Sequence, residues 1–547
     1  MSPAGPLPRG SHRSPQGEGC LMSPAGPLPR GSHRSLQGEG CLMSDFAVRC
    51  GLHDAAREQA LLCMTEQIRA SGVQRVRFAW CDQHGMLRGK TLMAGAAEGA
   101  VRHGVGMVGT LLLKDTSDRT AYQVFEPDGL AALPGFAGAT NLMLLADPAT
   151  YRQLPWLPDT GWVLCQPWFQ DGSVVPIDTR RVLQHALDKL RQHGYTMRCG
   201  LEVEFHIYRI DDAQSAATLA CDDPRLAAWP GQAPPVALIH PGYNLLSEAW
   251  TDRADAALRV VQHTAQGLGL PLISLETELG PSQVEAVFDV TDALQAADNM
   301  VLFRNGVCQA LRRAGFHATF MCRPPFPNVM SSGWHLHQSL LSTSTGRNAL
   351  MREHAASPHD AHRASSVLSA AGEHYLAGLL AHARGMAPFC TPTINGYGRF
   401  RPNALAPQSA VWGRDNRGAM LRVIGNPGND AGGFRADPST RIENRLGEPC
   451  ANPYLYLAAQ IHSGLDGLRR ELVPPPATTQ PYAVTDAPLP ASLGEALEAM
   501  QADTPLVEAF GRVFTDYLAT IKRCELARHA LAEDKIDWER REYFSRI

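Results

Sequence analysis

Four short stretches of the chain place ionisable side chains at a spacing of two. In GLEVEFHIYR, residues 200–209, Leu201, Val203, Phe205 and Ile207 alternate with Glu202, Glu204 and His206. Successive residues of a strand point to opposite faces, so the two acids and the imidazole share one side. SGWHLHQSL (332–340) sets His335 and His337 against Trp334 and Leu336 in the same way. TRIENRL (440–446) groups Arg441, Glu443 and Arg445 opposite Ile442. LETELGPSQVE (275–285) supplies Glu276 and Glu278, then a Gly-Pro-Ser turn, then Glu285. Any one of these could be the wet side of an antiparallel sheet. Four in one chain are hard to explain so, because carboxylates lining one concave surface repel each other and require cations. Mostly oxygen donors with one or two imidazoles favour Mg²⁺ or Mn²⁺ over Zn²⁺. Arginines beside such ions suit phosphate, which matches the guanidinium fork.

The elements that must position these groups are readable around them. HDAAREQALLCMTEQIRASG predicts an amphipathic helix, and VQRVRFAWCDQHGMLRGKTLM a hairpin about DQHG. The stretch from Leu144 to Gln170 is rich in Pro and Trp and reads as a domain junction. DTRRVLQHALDKLRQHG predicts a helix capped by Asp178, with Val182, Leu183, Ala186, Leu187 and Leu190 on its apolar stripe. Residues 211–248 read as a polar insertion and 342–366 as an exposed loop. VPPPATTQPYAVTDAPLP reads as a linker before the closing helices. Strands and helices mix without regular βαβ alternation, which predicts an α+β fold. GVGMVG (104–109) lacks a following Lys-Ser/Thr and is no phosphate-binding P-loop. His206, Trp334 and Trp412 read as structural, and Glu276 as a solvated neighbour of Glu278.

Composition bounds the rest. The chain has 547 residues, 44% hydrophobic and 19% charged, with a formal net charge of -4. That is globular composition, with no electrostatic reason to expect nucleic acid or an anionic membrane as partner. No run of 18 apolar residues suggests a membrane span. Thirteen scattered cysteines without a CxxC pair suit reduced thiols in the cytoplasm. MSPAGPLPRGSHRSPQGEGCL (1–21) is repeated at 22–42 with only Pro15 replaced by Leu36. This duplicated leader, residues 1–42, is expected to be disordered and to stand outside the fold.

In this order, GLEVEF, ETELGPSQVE, SSGWHLHQSL, NGYGRFRP, WGRDNRGAMLR and RIENRLGEPCANPYLYLAA resemble the motifs of the glutamine synthetase superfamily, over roughly residues 45–547. The resemblance implies an N-terminal β-grasp domain (45–155) and a catalytic domain (160–547) built on a curved antiparallel sheet. It implies a homo-oligomer, a dodecamer of stacked hexamers, binding ATP, glutamate, an amine, and two or three Mg²⁺ or Mn²⁺ ions per site. By motif position, Glu204, Glu278 and Glu285 would hold one ion, and Glu202, His335 and Glu443 the other. His337, Arg441, Arg422 and Arg417 would meet the nucleotide and its phosphates. Arg399, with Glu204, Arg445 and Leu405, would line the substrate, and Arg417, Arg399 and Arg445 would act on the reacting groups. The implied reaction activates the γ-carboxylate of glutamate as γ-glutamyl phosphate, which an amine then attacks.

The chain departs from ammonium-using members of that superfamily at two places. Leu405, in RFRPNALAP, stands where their flap carries a glutamate, and GMVGTLLLKD lacks their second ammonium-binding acid. One carboxylate about 4 Å from an ammonium is worth roughly 4 kcal/mol at an effective dielectric near 20, nearly three decades in binding. An apolar residue there suits a larger or less charged amine. The expected branch is γ-glutamyl-amide synthesis, of the γ-glutamylanilide or γ-glutamylpolyamine kind. The polyamine reading wants acidic walls that Leu405 and GTLLL do not supply, so an aromatic or hydrophobic amine is favoured. Alternatives are an ammonium-using ligase and a non-catalytic member retaining the fold. Met330-Ser331 also departs from the Asn-Gly that holds glutamate's amino end in those members.

Overall fold

The computed structural model describes residues 45–126, 129–211, 234–354, 363–401, 405–426 and 436–546. The duplicated leader and most of the 211–248 insertion lie outside the described residues. Six strands form the first sheet: β1 (Arg75–Cys81), β2 (Leu87–Met93), β3 (Val105–Val108), β4 (Asn141–Ala146), β5 (Arg152–Leu154) and β6 (Leu157–Trp168). Their order is β2-β1-β6-β4-β3, with β5 paired to β6. Strand β6 runs parallel to β1, and the remaining pairs are antiparallel.

The predicted hairpin is β1–β2. Asp82 Oδ1 accepts the N–H groups of His84 and Met86 at 2.9 and 3.0 Å, which closes the turn. Gly85 completes it at φ +80°, a left-handed conformation that costs glycine nothing. A Cβ there would also lie 2.6 Å from Arg304 Nη2. That guanidinium donates to Gly85 O at 2.8 Å and to Pro449 O and Ala451 O at 2.7 and 2.9 Å, tying the hairpin to the chain near residue 450.

The Pro- and Trp-rich stretch 144–170 is not an open linker. It is mostly sheet, and Trp162 and Trp168 are buried. Its composition misleads because core strands and linkers can share these residues, and only pairing separates them. The region 342–366 is likewise no free loop in its described parts, since Leu350 and Ala364 are buried. The Pro-rich segment after residue 472 is also packed. It accepts hydrogen bonds from Trp412 Nε1 at Pro475 O (2.7 Å) and from Ser409 Oγ at Val484 O (2.6 Å). Extended Pro-rich chain makes no internal hydrogen bonds, so its carbonyls are free for such donors.

The second sheet carries the four chemical stretches. It contains β7 (Tyr195–Ile210), β8 (Val236–Leu238), β9 (Leu272–Thr277), β10 (Gln283–Asp292), β11 (Phe316–Thr319), β12 (Trp334–Ser342), β13 (Trp412–Arg414), β14 (Leu421–Ile424) and β15 (Arg441–Gly447). The order is β13-β14-β15-β12-β7-β10-β9, with β8 and β11 also on β7. Only β13–β14 is parallel. The apolar face of β7 is buried, Val203, Phe205 and Ile207 completely. It packs on the helix Ala293–Arg313, where Phe303 meets Phe205 and Phe288 edge-on at 5.9 and 4.8 Å. Asp292 caps that helix by accepting Gln295 N–H at 3.1 Å. The helix Thr179–Gln192 starts at Asp178 as predicted and buries Val182, Leu183, Ala186 and Leu190, with Leu187 half-buried. The architecture is α+β, with apolar strand faces turned to helices and the acidic face left for chemistry.

Candidate active site

Register brings the four stretches together. His335 stands opposite Glu202, Glu285 opposite Glu204, Glu443 opposite His337, and Arg422 opposite Glu443. Facing residues in such pairs hold their Cβ atoms about 5 Å apart, within reach of one shared ligand. One donor atom each of Glu202, His335 and Glu443 lies within 4.8 Å of the others, and so does one each of Glu204, Glu285 and His335. Glu278 lies outside both groups, its Oε2 accepting Leu279 N–H at 2.9 Å.

This face is not solvated decoration. Glu443 is 0% exposed, His335 5% and Glu285 8%. Burial pushes the Glu285 carboxyl up to about 9, helped by the charges of Glu204, Glu202, Glu278 and Glu276. Burial and then Glu278 raise Glu204 to about 7, against the pull of Arg399 and the Gly333 N–H. Burial also raises Glu278, reinforced by Glu276 and Glu202. Burial alone would raise Glu202 as well, but His335 and His337 outweigh it and hold that carboxyl far below its ordinary range. Glu443 is lowered too, burial being outweighed by His335 and Arg445. His335 falls to about 4 through burial and the Arg445 charge. Carboxyls held this high lack positive charge, and the oxygen-rich donor set with one imidazole is the kind a Mg²⁺- or Mn²⁺-like ion takes. The residues present therefore fit divalent ions.

The arginines divide into committed and uncommitted. Arg445 Nη1 donates to Glu443 Oε1, and its Nη2 donates to Leu405 O at 3.3 Å. Arg422 donates to Glu443 Oε2 at 2.8 Å and to Asp415 Oδ1 at 2.9 Å. Arg441 Nε donates to His337 Nδ1 at 3.0 Å, and His337 Nε2 lies 2.9 Å from Glu202 Oε1. Arg399 is buried against Gly333 and donates to Arg445 O at 2.9 Å. Among the described residues no carboxylate lies within ion-pair distance of it, and Glu204 acts on this buried cation only from farther away. Arg417 is exposed and makes no hydrogen bond or ion pair among the described residues. Leu405 is 56% exposed and sits at φ +53°, a strained conformation for a residue with a Cβ. Beside Glu202 a cavity of about 460 Å³ is lined by Arg198, Leu201, Phe288, His337, Ser339 and Arg441.

Two participants escaped the sequence reading. Asp415, the partner of Arg422, sits inside WGRDNRGAMLR, where one acid among arginines gives no sign of which it meets. Gln283, which hydrogen-bonds Glu204, sits inside ETELGPSQVE, where a neutral amide beside three glutamates gives no sign of which it meets.

A family model described as "Glutamine synthetase, catalytic domain" matches residues 176–543. The chain is 34% identical to a gamma-glutamylanilide synthase from Acinetobacter sp. over 518 residues, covering 92% of this chain and 99% of that protein. It is 30% identical to the gamma-glutamylethanolamide synthetase GlnA4 of Streptomyces coelicolor, covering 88% and 94%. A solved structure, "Apo GmaS without ligand", superposes with a TM-score of 0.67 at 26% identity, covering 87% of this chain and 98% of that one. Fold and site together define a carbon–nitrogen ligase. The chain belongs to the glutamine synthetase family. Members of that family bind small molecules, use ATP and divalent metal ions, and are typically oligomeric. Among the described residues no helix is long and apolar enough to cross a membrane.

Proposed function

We propose that this chain joins the γ-carboxylate of glutamate to an amine at the expense of ATP, through γ-glutamyl phosphate, and that the amine is aromatic and larger than ammonia. The observation that carries the choice of amine is Leu405, an apolar side chain whose backbone carbonyl is held by Arg445 beside the acidic face. The likeness to a protein named gamma-glutamylanilide synthase agrees with it.

In this reading the buried Arg399, which has no ion pair among the described residues, receives the carboxylate of glutamate. Arg445, Arg422 and Arg417 meet charge on the transferring phosphoryl group, which is most of the catalysis in phosphoryl transfer. Arg422 turns from Asp415, and Arg417 from solvent, when the phosphates arrive. His337 and Arg441, on the 460 Å³ cavity, orient the nucleotide. Glu202, His335 and Glu443 would hold one divalent ion, and Glu204 and Glu285, near the charge of Glu278, a second; Mg²⁺ or Mn²⁺ held there would neutralise phosphate charge. An arylamine is neutral at pH 7 and attacks without a base. An ammonium must first lose a proton, and Leu405 offers no carboxylate to hold the cation or take that proton. We further propose a dodecamer and a cytoplasmic location, the latter supported by ten unpaired thiols among the described residues.

Purified protein given ATP, glutamate and Mg²⁺ with ammonium, putrescine, an alkylamine or aniline, with ADP release as readout, tests the reading. Fastest turnover with aniline is expected. Fastest turnover with ammonium would overturn the choice of amine and make the chain an ammonium-using ligase.

A further inference from the structure

Gln283, the first residue of β10, has its side chain almost wholly buried against the acidic face. Its Oε1 accepts the Gly280 N–H at 2.9 Å. An N–H cannot face another N–H, so this contact fixes the carboxamide orientation and aims Nε2 the other way. Nε2 then lies 3.2 Å from Glu204 Oε2, 3.1 Å from Ser332 Oγ and 3.4 Å from Ser331 O. Ser332 Oγ is in turn 3.3 Å from Nδ1 of the buried His206. A second donor, the Gly333 N–H, reaches the same Glu204 oxygen at 2.7 Å. Glu204 Oε1 accepts no hydrogen bond among the described residues.

We infer that Gln283 is the positioning residue of the acidic face: by pinning one oxygen of Glu204 it leaves the other oriented for a divalent ion. The inference rests on the metal reading given above. A carboxylate has two equivalent oxygens and a flexible stem, so an unpinned Glu204 would lose rotamer freedom on binding an ion and bind it more weakly. A neutral amide suits this task better than an arginine, because it orients the carboxylate without cancelling the charge the ion needs. The same amide joins three pieces of chain: the turn at Gly280, the metal-facing strand β7 and the turn at Ser331–Gly333. Gly280 is required by this closeness, since a Cβ there would lie 2.6 Å from Gln283 Oε1 and 2.8 Å from Met330 Cβ.

The test is calorimetric titration of the full chain with Mn²⁺, beside the unfolding midpoint of the metal-free protein. Gln283→Met keeps the length and removes the amide; Gln283→Asn keeps an amide one methylene too short to reach. Both are expected to weaken Mn²⁺ binding about 10–100-fold, with kcat at saturating Mn²⁺ changed less than about threefold. Ser332→Ala, which leaves the bond to Glu204 in place, is expected to bind Mn²⁺ within about threefold of the unaltered protein. Mn²⁺ affinity unchanged in either folded Gln283 variant would overturn the inference while leaving the metal reading intact. Failure of the unaltered protein to bind Mn²⁺ would overturn both.

Discussion

Two buried clusters in this molecule use the same residue types to opposite ends. On the last two helices, Arg512–Ala530 and Lys535–Tyr543, Glu542 is 0% exposed and accepts hydrogen bonds from Thr116 Oγ1, from Ser117 Oγ at 2.5 Å and from Arg528 at 2.7 Å. Arg528 also donates to Asp115 Oδ2 at 2.7 Å. Burial would raise the Glu542 carboxyl, yet Arg528 and the two hydroxyls outweigh it and bring it below its ordinary value. On the acidic face Glu285 is also buried, and burial pushes it up to about 9 because its neighbours, other carboxylates, add to the shift instead of opposing it. One cluster is closed on itself and the other is short of cations. The difference teaches how to separate a structural ion network from a site awaiting ligands: burial alone is common to both, and charge balance is not.

The comparison can be broken or sharpened by substitution. Glu443→Ala removes a carboxylate from the open cluster, taking from Arg445 its ion-pair partner and from Arg422 one of two. ADP release with glutamate and amine is expected to fall about a thousandfold, the folded state surviving. Glu542→Ala opens the closed cluster, leaving the Thr116 and Ser117 hydroxyls without their acceptor and Arg528 with Asp115 but without Glu542. Denaturant unfolding is expected to show a loss of about 3 kcal/mol, with activity per folded molecule unchanged. If Glu542→Ala instead abolished activity at constant stability, the distinction between the clusters would fail. Leu405→Glu puts a carboxylate on the residue whose backbone carbonyl Arg445 holds. A half-exposed position screens it, so the ammonium KM is expected to fall about tenfold while aniline turnover drops.

The smallest expected effect concerns pH. His382 bridges Asp503 at 2.8 Å and Asp466 at 2.9 Å. Burial would lower its pKa, but the two carboxylates outweigh burial and raise it. A histidine whose folded pKa lies above the unfolded value contributes stability fully present below about pH 6.5, lost as pH rises through the raised folded value. His382→Gln is therefore expected to cost about 1 kcal/mol below that pH and progressively less above it, read from unfolding midpoints across the range.

Much of the candidate site was legible because β-strands write their faces into sequence with a period of two. Glu202, Glu204, His335, His337 and Glu443 could be grouped before any strand was paired. The helix at Asp178 and the DQHG hairpin were legible for the same kind of local reason, a capping acid and a turn glycine. Stretch 144–170 was misread because Pro and Trp mark both linkers and strands, and the parallel partner β1 lies more than sixty residues away. Asp415 and Gln283 were invisible as participants because a hydrogen-bond partner across a sheet leaves no trace in local spacing.

The sequence by itself determined which side chains share a strand face, since that is a property of residue type and order. Tertiary structure alone decided that His335 belongs to both donor groups, that Glu278 stands apart from them, and that Arg399 is buried with no ion-pair partner among the described residues. Those outcomes depend on register and burial, and a carboxylate's charge state is set by what surrounds it in space, where neighbours far apart in the chain stand a few ångströms away.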